Sequence, residues 1–325
     1  MPANLPPQYF EVEKKYRSAK TVEDKLAALE EMLAIMPKHK GTDKLQADLK
    51  RRISKLKTQE QKKSGKRTAG FQIKPEGAGQ VVLVGPPNSG KSSLLRALTR
   101  AEPEIADYPF TTRTPLAGMA AFEDAQIQLV DLPPLAEDFM EPWLPDQVRR
   151  ADLVLVLLDL TGDPLHQLET LEKILAERRI FLDGGRIPDE PFVGVVKPCF
   201  LAANKLDHPE AEDTLVLFQE MLGLERPVLP ISVHRADNLS RLPRLLFQAL
   251  GVIRVYTKAP GKPADTRTPY IVPQGSTVLD LAAKIHKDMA ESFQFARIWG
   301  GDKYDGQMVQ RDYVLQDKDI IEIHA

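Results

Sequence analysis

Eight consecutive residues, Gly85-Pro86-Pro87-Asn88-Ser89-Gly90-Lys91-Ser92, combine the groups needed to hold a polyphosphate. Two glycines bound a tight turn, and a lysine and a hydroxyl follow at once. Backbone N–H groups at the start of a helix would point into such a turn, and the helix dipole would add positive potential. Lys91 would reach the β- and γ-phosphates and the Ser92 hydroxyl would bind Mg²⁺, while Gly85, Asn88, Ser89, Gly90 and Ser93 would line the cradle. The alternative is a glycine-rich turn without a ligand. The flanks argue against it, because the apolar run Gln80–Val84 precedes the turn and the helical Ser93–Leu98 follows it.

A second cluster, Asn204-Lys205-Leu206-Asp207, also sits just past an apolar strand and so at the same sheet edge. The Asp207 carboxylate can accept from both the N1–H and the exocyclic amine of guanine, whereas N1 of adenine, an acceptor, would be repelled. Asn204 can bond the opposite edge of the base, and the stem of Lys205 can lie across the ring. Ser232 and Val233, after the next strand, would support Asp207 and offer backbone N–H to guanine O6. Two further Mg²⁺ elements are expected. Asp131, ending Ile127–Val130, would hold the ion through water, and Thr112 in Tyr108-Pro109-Phe110-Thr111-Thr112 would close over it when a γ-phosphate is present. Either threonine could instead be a turn residue. Lys91 and Thr112 are the residues expected to serve the chemistry itself.

The elements that must position these groups alternate from residue 68 to 251. Strands are expected at 80–84, 127–131, 153–158, 199–203 and 228–231. Helices are expected at 91–100, 143–150, 165–178, 211–222 and 238–249. The pattern predicts an α/β domain with a mostly parallel sheet and its ligand at the carboxyl ends of the strands. Residues 1–67 read as a helical hairpin with a basic tail. Val22, Leu26, Leu29, Leu33 and Met36 share one face, Thr21 and Asp24 resemble a capping box, and Leu45, Leu49, Ile53 and Leu56 mark a second helix. Residues 1–67 carry 17 Lys/Arg against 9 Asp/Glu, a local charge of +8 that leaves −10 for the rest of a chain of net charge −2. The basic run, including Lys50, Arg51, Arg52, Lys55 and Lys57, is either a solvated face or an electrostatic contact with RNA phosphates. No aromatic residues interleave it, which argues against stacking on single strands.

Near Lys258–Pro263 the composition turns to linker. Beyond it, an extended Tyr270–Val272, a helix opening at Ser276/Thr277 with Asp280 in capping position, and strand-like Phe295–Trp299 and Asp319–His324 suggest a small α+β module. His286 and His324 are isolated and read as surface or core polar residues. Cys199, the single cysteine, lies in an apolar run and reads as core; a chain without an internal disulfide fits a reducing cytoplasm. No apolar run approaches the length of a membrane helix, and no secretory signal precedes Tyr9, so a cytoplasmic monomer without membrane contact is expected.

The chain resembles GTPases of the Obg/DRG family, the developmentally regulated GTP-binding proteins. The resemblance rests on Gly85–Ser92, Asp107–Thr112, Asn204–Asp207 and a C-terminal region in which Ile253–Lys258, Pro269–Ile271, Gly275–Val278 and Asp305–Gln310 are similar to a TGS domain of β-grasp type. It implies three domains (1–67, 68–251 and 252–325), bound GTP or GDP with Mg²⁺, and action on ribosomes or structured RNA through the basic hairpin and the TGS domain. It also implies potassium stimulation, with Asn88 helping to hold K⁺. The insertion common between the middle strands of eukaryotic DRG proteins is expected to be absent or reduced, leaving room for little more than one helix and a loop between Asp159 and Asn204.

The chain departs from the pattern at Asp131-Leu132-Pro133-Pro134, where Asp-x-x-Gly is expected. Proline has no N–H to donate to a γ-phosphate. Leu135 next to it cannot orient a water. Two functions from different classes follow: a slow GTPase, or a guanine-nucleotide-binding scaffold or RNA-binding protein with negligible hydrolysis.

Overall fold

The computed structural model describes residues 73–99, 104–105, 115–135, 141–187, 193–223, 226–300 and 304–325, together with isolated helical positions between Tyr9 and Leu49. The chain divides into two compact units, Met1–Gln72 and Ile73–Ala325. In the first, Tyr9, Val12, Ala28, Leu29, Met32 and Leu49 form a buried apolar cluster. Tyr9, Val12, Lys14 and Tyr16 are helical, ahead of the first helix expected from the sequence. Of the two predicted faces, Leu29, Leu33 and Leu49 are among the described residues. Val22, Leu26, Met36, the Thr21/Asp24 cap and the basic residues Lys50, Arg51, Arg52, Lys55 and Lys57 lie outside them.

The second unit opens with β1 (Gln80–Val84), whose five residues are all buried, as a strand covered on both faces must be. It continues through α1 (Lys91–Leu98), β2 (Glu104–Ile105), β3 (Leu116–Phe122), β4 (Ala125–Asp131), α2 (Leu144–Arg150), β5 (Leu153–Asp159) and α3 (Pro164–Glu177). Then follow β6 (Ile180–Leu182), β7 (Val195–Lys197), β8 (Cys199–Asn204), α4 (Ala211–Leu222), β9 (Val228–Pro230) and α5 (Leu242–Ala249). The main sheet has the order β2-β3-β4-β1-β5-β8-β9, parallel from β4 to β9 and antiparallel at the β2-β3-β4 end. β3 was not visible in the sequence. Its Ala- and Gly-rich composition carries weak strand propensity, and it is held by a full antiparallel register with β4 around the turn Glu123-Asp124. Between β5 and β8 the chain makes α3 and a two-stranded parallel sheet of the short strands β6 and β7, little more than the one helix and loop expected.

The C-terminal part comprises β10 (Val252–Thr257), β11 (Asp265–Pro273), α6 (Val278–Ile285), α7 (Lys287–Glu291), β12 (Phe295–Trp299), β13 (Gln307–Val309) and β14 (Asp319–His324), with sheet order β11-β10-β14-β12-β13. α6 opens with the capping box expected of Thr277 and Asp280. Val278, Leu281 and Ala282 on its inner face join Val255, Ala296, Ile298 and Ile321 of the sheet in a separate core. The linker expected at Lys258–Pro263 is a correction. β10 pairs with β11, so that segment is the connection inside a hairpin and not a domain boundary. His286 caps α7, and His324 stacks on Phe295 at 4.3 Å and bonds Glu322. Cys199 is half-buried; its thiol donates to the Asp183 carbonyl, and burial pushes its pKa up.

Candidate nucleotide site

Parallel strands end together, so residues that finish β1, β4, β5 and β8 share one edge. Asp131 pairs in register with Leu83, and Asp159 pairs with Asn204. That edge brings together Gly85–Ser92, Asp131 and the Asn204–Asp207 cluster.

The loop geometry depends on its glycines. Gly85 has φ +157°, and a Cβ there would lie 2.2 Å from the Leu157 carbonyl oxygen. Gly90 has φ +97°, and its Cβ would fall 2.3 Å from Asn204 Nδ2. A side chain at 90 would therefore push the loop away from the base-side cluster. Lys91 opens α1 and is buried. Its ammonium donates to the carbonyls of Gly85 (3.0 Å) and Pro86 (2.8 Å), closing the loop on itself. Burial lowers its pKa to about 8 against the opposing pull of Asp131. Asn88 is exposed at φ +61°, Ser93 is exposed on α1, and Ser89 is buried with its hydroxyl unpartnered.

Ser92 donates its hydroxyl to Asp131 Oδ2 at 2.5 Å. The other oxygen, Asp131 Oδ1, is buried without a hydrogen-bond partner, and burial raises the pKa of this carboxyl. An orphaned buried carboxylate oxygen beside a hydroxyl is a costly arrangement unless a cation completes it. Among the described residues no group of three or more His, Cys, Asp or Glu side chains is arranged to hold a metal ion by itself. A cation here would be held by one carboxylate, one hydroxyl and the phosphates themselves, the all-oxygen set that suits Mg²⁺. These residues and Pro87, Asn88, Gly90, Lys91, Ser93, Leu116, Leu132, Pro133 and Pro134 line a cavity of about 640 Å³. Leu135 turns away and is buried. Thr111 and Thr112 lie outside the described residues.

On the base side, Ser232 is fully buried and donates its hydroxyl to Asp207 Oδ1 at 2.6 Å, which holds the half-buried Asp207 carboxylate below its ordinary range. The same Ser232 oxygen accepts from the Arg235 N–H at 3.0 Å. Asn204 is also held from within the protein. Its amide donates to the Ser89 carbonyl at 2.8 Å and its oxygen accepts the Val233 N–H at 3.2 Å. It therefore ties the phosphate loop to the loop after β9, and the Val233 N–H expected to face guanine O6 is engaged. Lys205, at φ +71°, forms a 2.5 Å ion pair with Asp159. Asp159 escaped the sequence reading. It ends an apolar run as Asp131 does, but its strand neighbour, Asn204, is revealed only by the sheet order.

A parallel sheet with a polyphosphate loop at its carboxyl edge, a Ser92–Asp131 pair and an Asp207 set to accept from a guanine-type edge defines a P-loop GTP-binding protein. Comparisons with known proteins agree. The family model for 50S ribosome-binding GTPases matches residues 80–183, and that for the TGS domain matches residues 253–325. A GTP-binding protein of Methanocaldococcus jannaschii is 30% identical, the match covering 93% of this chain and 92% of the relative. Developmentally-regulated GTP-binding protein 1 of Xenopus laevis is 27% identical, with 92% and 98% covered. The chain belongs to the DRG family of GTP-binding proteins. The YchF GTPase of Schizosaccharomyces pombe, 13% identical with a TM-score of 0.51, shares the fold over 78% of this chain and 100% of that one.

Proposed function

We propose that the protein is a slow, potassium-stimulated GTPase that acts on the ribosome or on structured RNA. The observation that carries this reading is the convergence of Lys91, Ser92 and Asp131 on one cavity that Pro133 and Pro134 also line. Lys91 would leave its two loop carbonyls to meet the β- and γ-phosphates, since those bonds only stand in for an anion. Ser92 and Asp131 would hold Mg²⁺, with Thr112 as the further expected ligand; the ion would supply charge neutralisation at the phosphates. Ser232 fixes Asp207 for the guanine edge. Slow turnover follows from Pro134, which has no N–H for a γ-phosphate, and from Leu135, whose side chain is buried and could orient no water. Potassium stimulation rests on Asn88 at the exposed turn of the loop.

The ribosomal or RNA partner is supported by the ribosome-binding description of the matching GTPase family, by the TGS domain and by the basic run that includes Lys50, Arg51, Arg52, Lys55 and Lys57. No helix among the described residues is long and apolar enough to cross a membrane. A second reading, a guanine-nucleotide-binding scaffold with negligible hydrolysis, is favoured by Pro134 and Leu135. Phosphate release from GTP in potassium and in sodium, with and without ribosomes and with Lys91→Ala as the blank, separates the two. Turnover above the blank that rises with potassium supports the enzyme. Bound GTP with release equal to the blank in every condition leaves the scaffold.

A further inference from the structure

We propose that Asp159 is a positioning residue of the base subsite, holding the Lys205 ammonium so that the lysine stem forms a fixed apolar shelf for the guanine ring. This rests on the guanine-nucleotide reading above. Asp159 is the last residue of β5 and lies in register with Asn204, so its side chain emerges beside the turn where Lys205 begins. Its Oδ2 takes the Lys205 ammonium at 2.5 Å, and its Oδ1 takes both the N–H (2.9 Å) and the hydroxyl (2.7 Å) of Thr161. The main chain is held as firmly. The Asp159 N–H donates to Gln167 Oε1 at 2.9 Å, and Gln167 Nε2 returns a bond to the Asp159 carbonyl at 3.0 Å. Burial alone would push this carboxyl up; the bonds from Lys205 and Thr161 outweigh it and hold the group below its ordinary range.

The function of this clamp follows from the ligand it faces. A ring laid on a lysine needs the four methylenes in one rotamer. A lysine whose ammonium is free in water loses that rotamer freedom only when the ligand binds, which weakens binding. Lys205 is one-third exposed, open enough to meet a base, yet its charged end is already tethered. α3, through Gln167 and the Thr161 turn, supplies the rigidity. None of the clamp's hydrogen bonds runs to Gly85–Ser92.

Asp159→Asn keeps the shape and the Thr161 acceptor but turns an amide donor toward the ammonium. The assay is competition against a fluorescent GDP, with unlabelled GDP and with inorganic tripolyphosphate, alongside a melting curve. We expect GDP affinity to fall about tenfold, with tripolyphosphate affinity unchanged. Lys205→Met, which keeps an apolar stem without the charge, should absorb the effect, so that Asp159→Asn adds less than twofold in its presence. GDP affinity unchanged in Asp159→Asn, an equal fall for tripolyphosphate, or additive effects in the double variant would overturn the proposal. Wild-type protein that binds tripolyphosphate but shows no preference for GDP over ADP would overturn the guanine reading and this one together; the first three outcomes leave that reading standing.

Discussion

Arg254 joins the TGS domain to the GTPase sheet, and its removal should separate their stabilities. The side chain is 3% exposed. Nη1 donates to Glu123 Oε2 at 2.6 Å and to Asp124 Oδ1 at 2.8 Å across the junction, while Nη2 and Nε fork onto Asp317 at 2.6 and 3.1 Å. The guanidinium carbon lies 5.2 Å from the ring centroids of both Phe122 and Phe247. Breaking a fully buried ion pair costs about 3–5 kcal/mol. Here Asp124, Asp317 and Glu123 are 25%, 38% and 49% exposed and can rehydrate, so solvent screening lowers the figure. Arg254→Met, which keeps a stem between the two rings, should cost about 2–4 kcal/mol. For a unit of this size that corresponds to a melting temperature lower by roughly 5–12 °C. The assay is thermal unfolding of the full chain, followed by near-ultraviolet circular dichroism, with proteolysis monitored between Leu250 and Ile253. Asp124→Asn should cost much less in the Arg254→Met background than alone. A shift under 1 °C, or strict additivity of the two substitutions, would refute the argument that the clamp holds the junction.

Lys91 gives a pH dependence whose sign is fixed by its lowered pKa of about 8 in the ligand-free loop. A bound polyphosphate raises that pKa, so below pH 8 the lysine is charged in both states and affinity is flat; above it binding takes up a proton, and GDP affinity should fall by up to about tenfold per pH unit. Titration calorimetry in buffers of different ionisation enthalpy reads that uptake, and Lys91→Met should abolish it. Gly90→Ala forces a left-handed backbone on alanine and a Cβ 2.3 Å from Asn204 Nδ2; we expect a loss of about 2 kcal/mol of stability, read by denaturant unfolding, and GDP affinity lower by more than tenfold. Pro134→Gly restores an N–H at the cavity wall, worth about 1.5–3 kcal/mol to a γ-phosphate, so the ratio of GTP to GDP affinity should rise by roughly 10- to 100-fold. An unchanged ratio would show that position 134 does not face the terminal phosphate.

Much of the site was legible because its chemistry is local. Gly85, Gly90, Lys91 and Ser92 fall within eight residues, and a turn between a buried strand and a helix has few other uses. Asp131 was legible for a similar reason, as a carboxylate that abruptly ends an apolar run. What stayed hidden depends on strand order. Asp159 meets Lys205 only because β5 and β8 are neighbours, and Glu123 and Asp124 meet Arg254 only because a hairpin of weak propensity reaches the TGS sheet. Lys258–Pro263 misled because a glycine- and proline-rich hairpin connection has the composition of a domain linker.

Asn204 links the phosphate side and the base side of the candidate site. With its amide on the Ser89 carbonyl and its oxygen on the Val233 N–H, one side chain fixes the spacing between three loops. Gly90 is required because that amide passes where a Cβ would be, and Ser232, next to Val233, is the residue that aims Asp207. A displacement of the phosphate loop would therefore reach the Asp207 carboxylate through Asn204 by three hydrogen bonds and one residue of backbone. The asparagine that opens the Asn204–Asp207 cluster is thus a strut as well as a candidate ligand, a role that the motif alone could not distinguish from base contact.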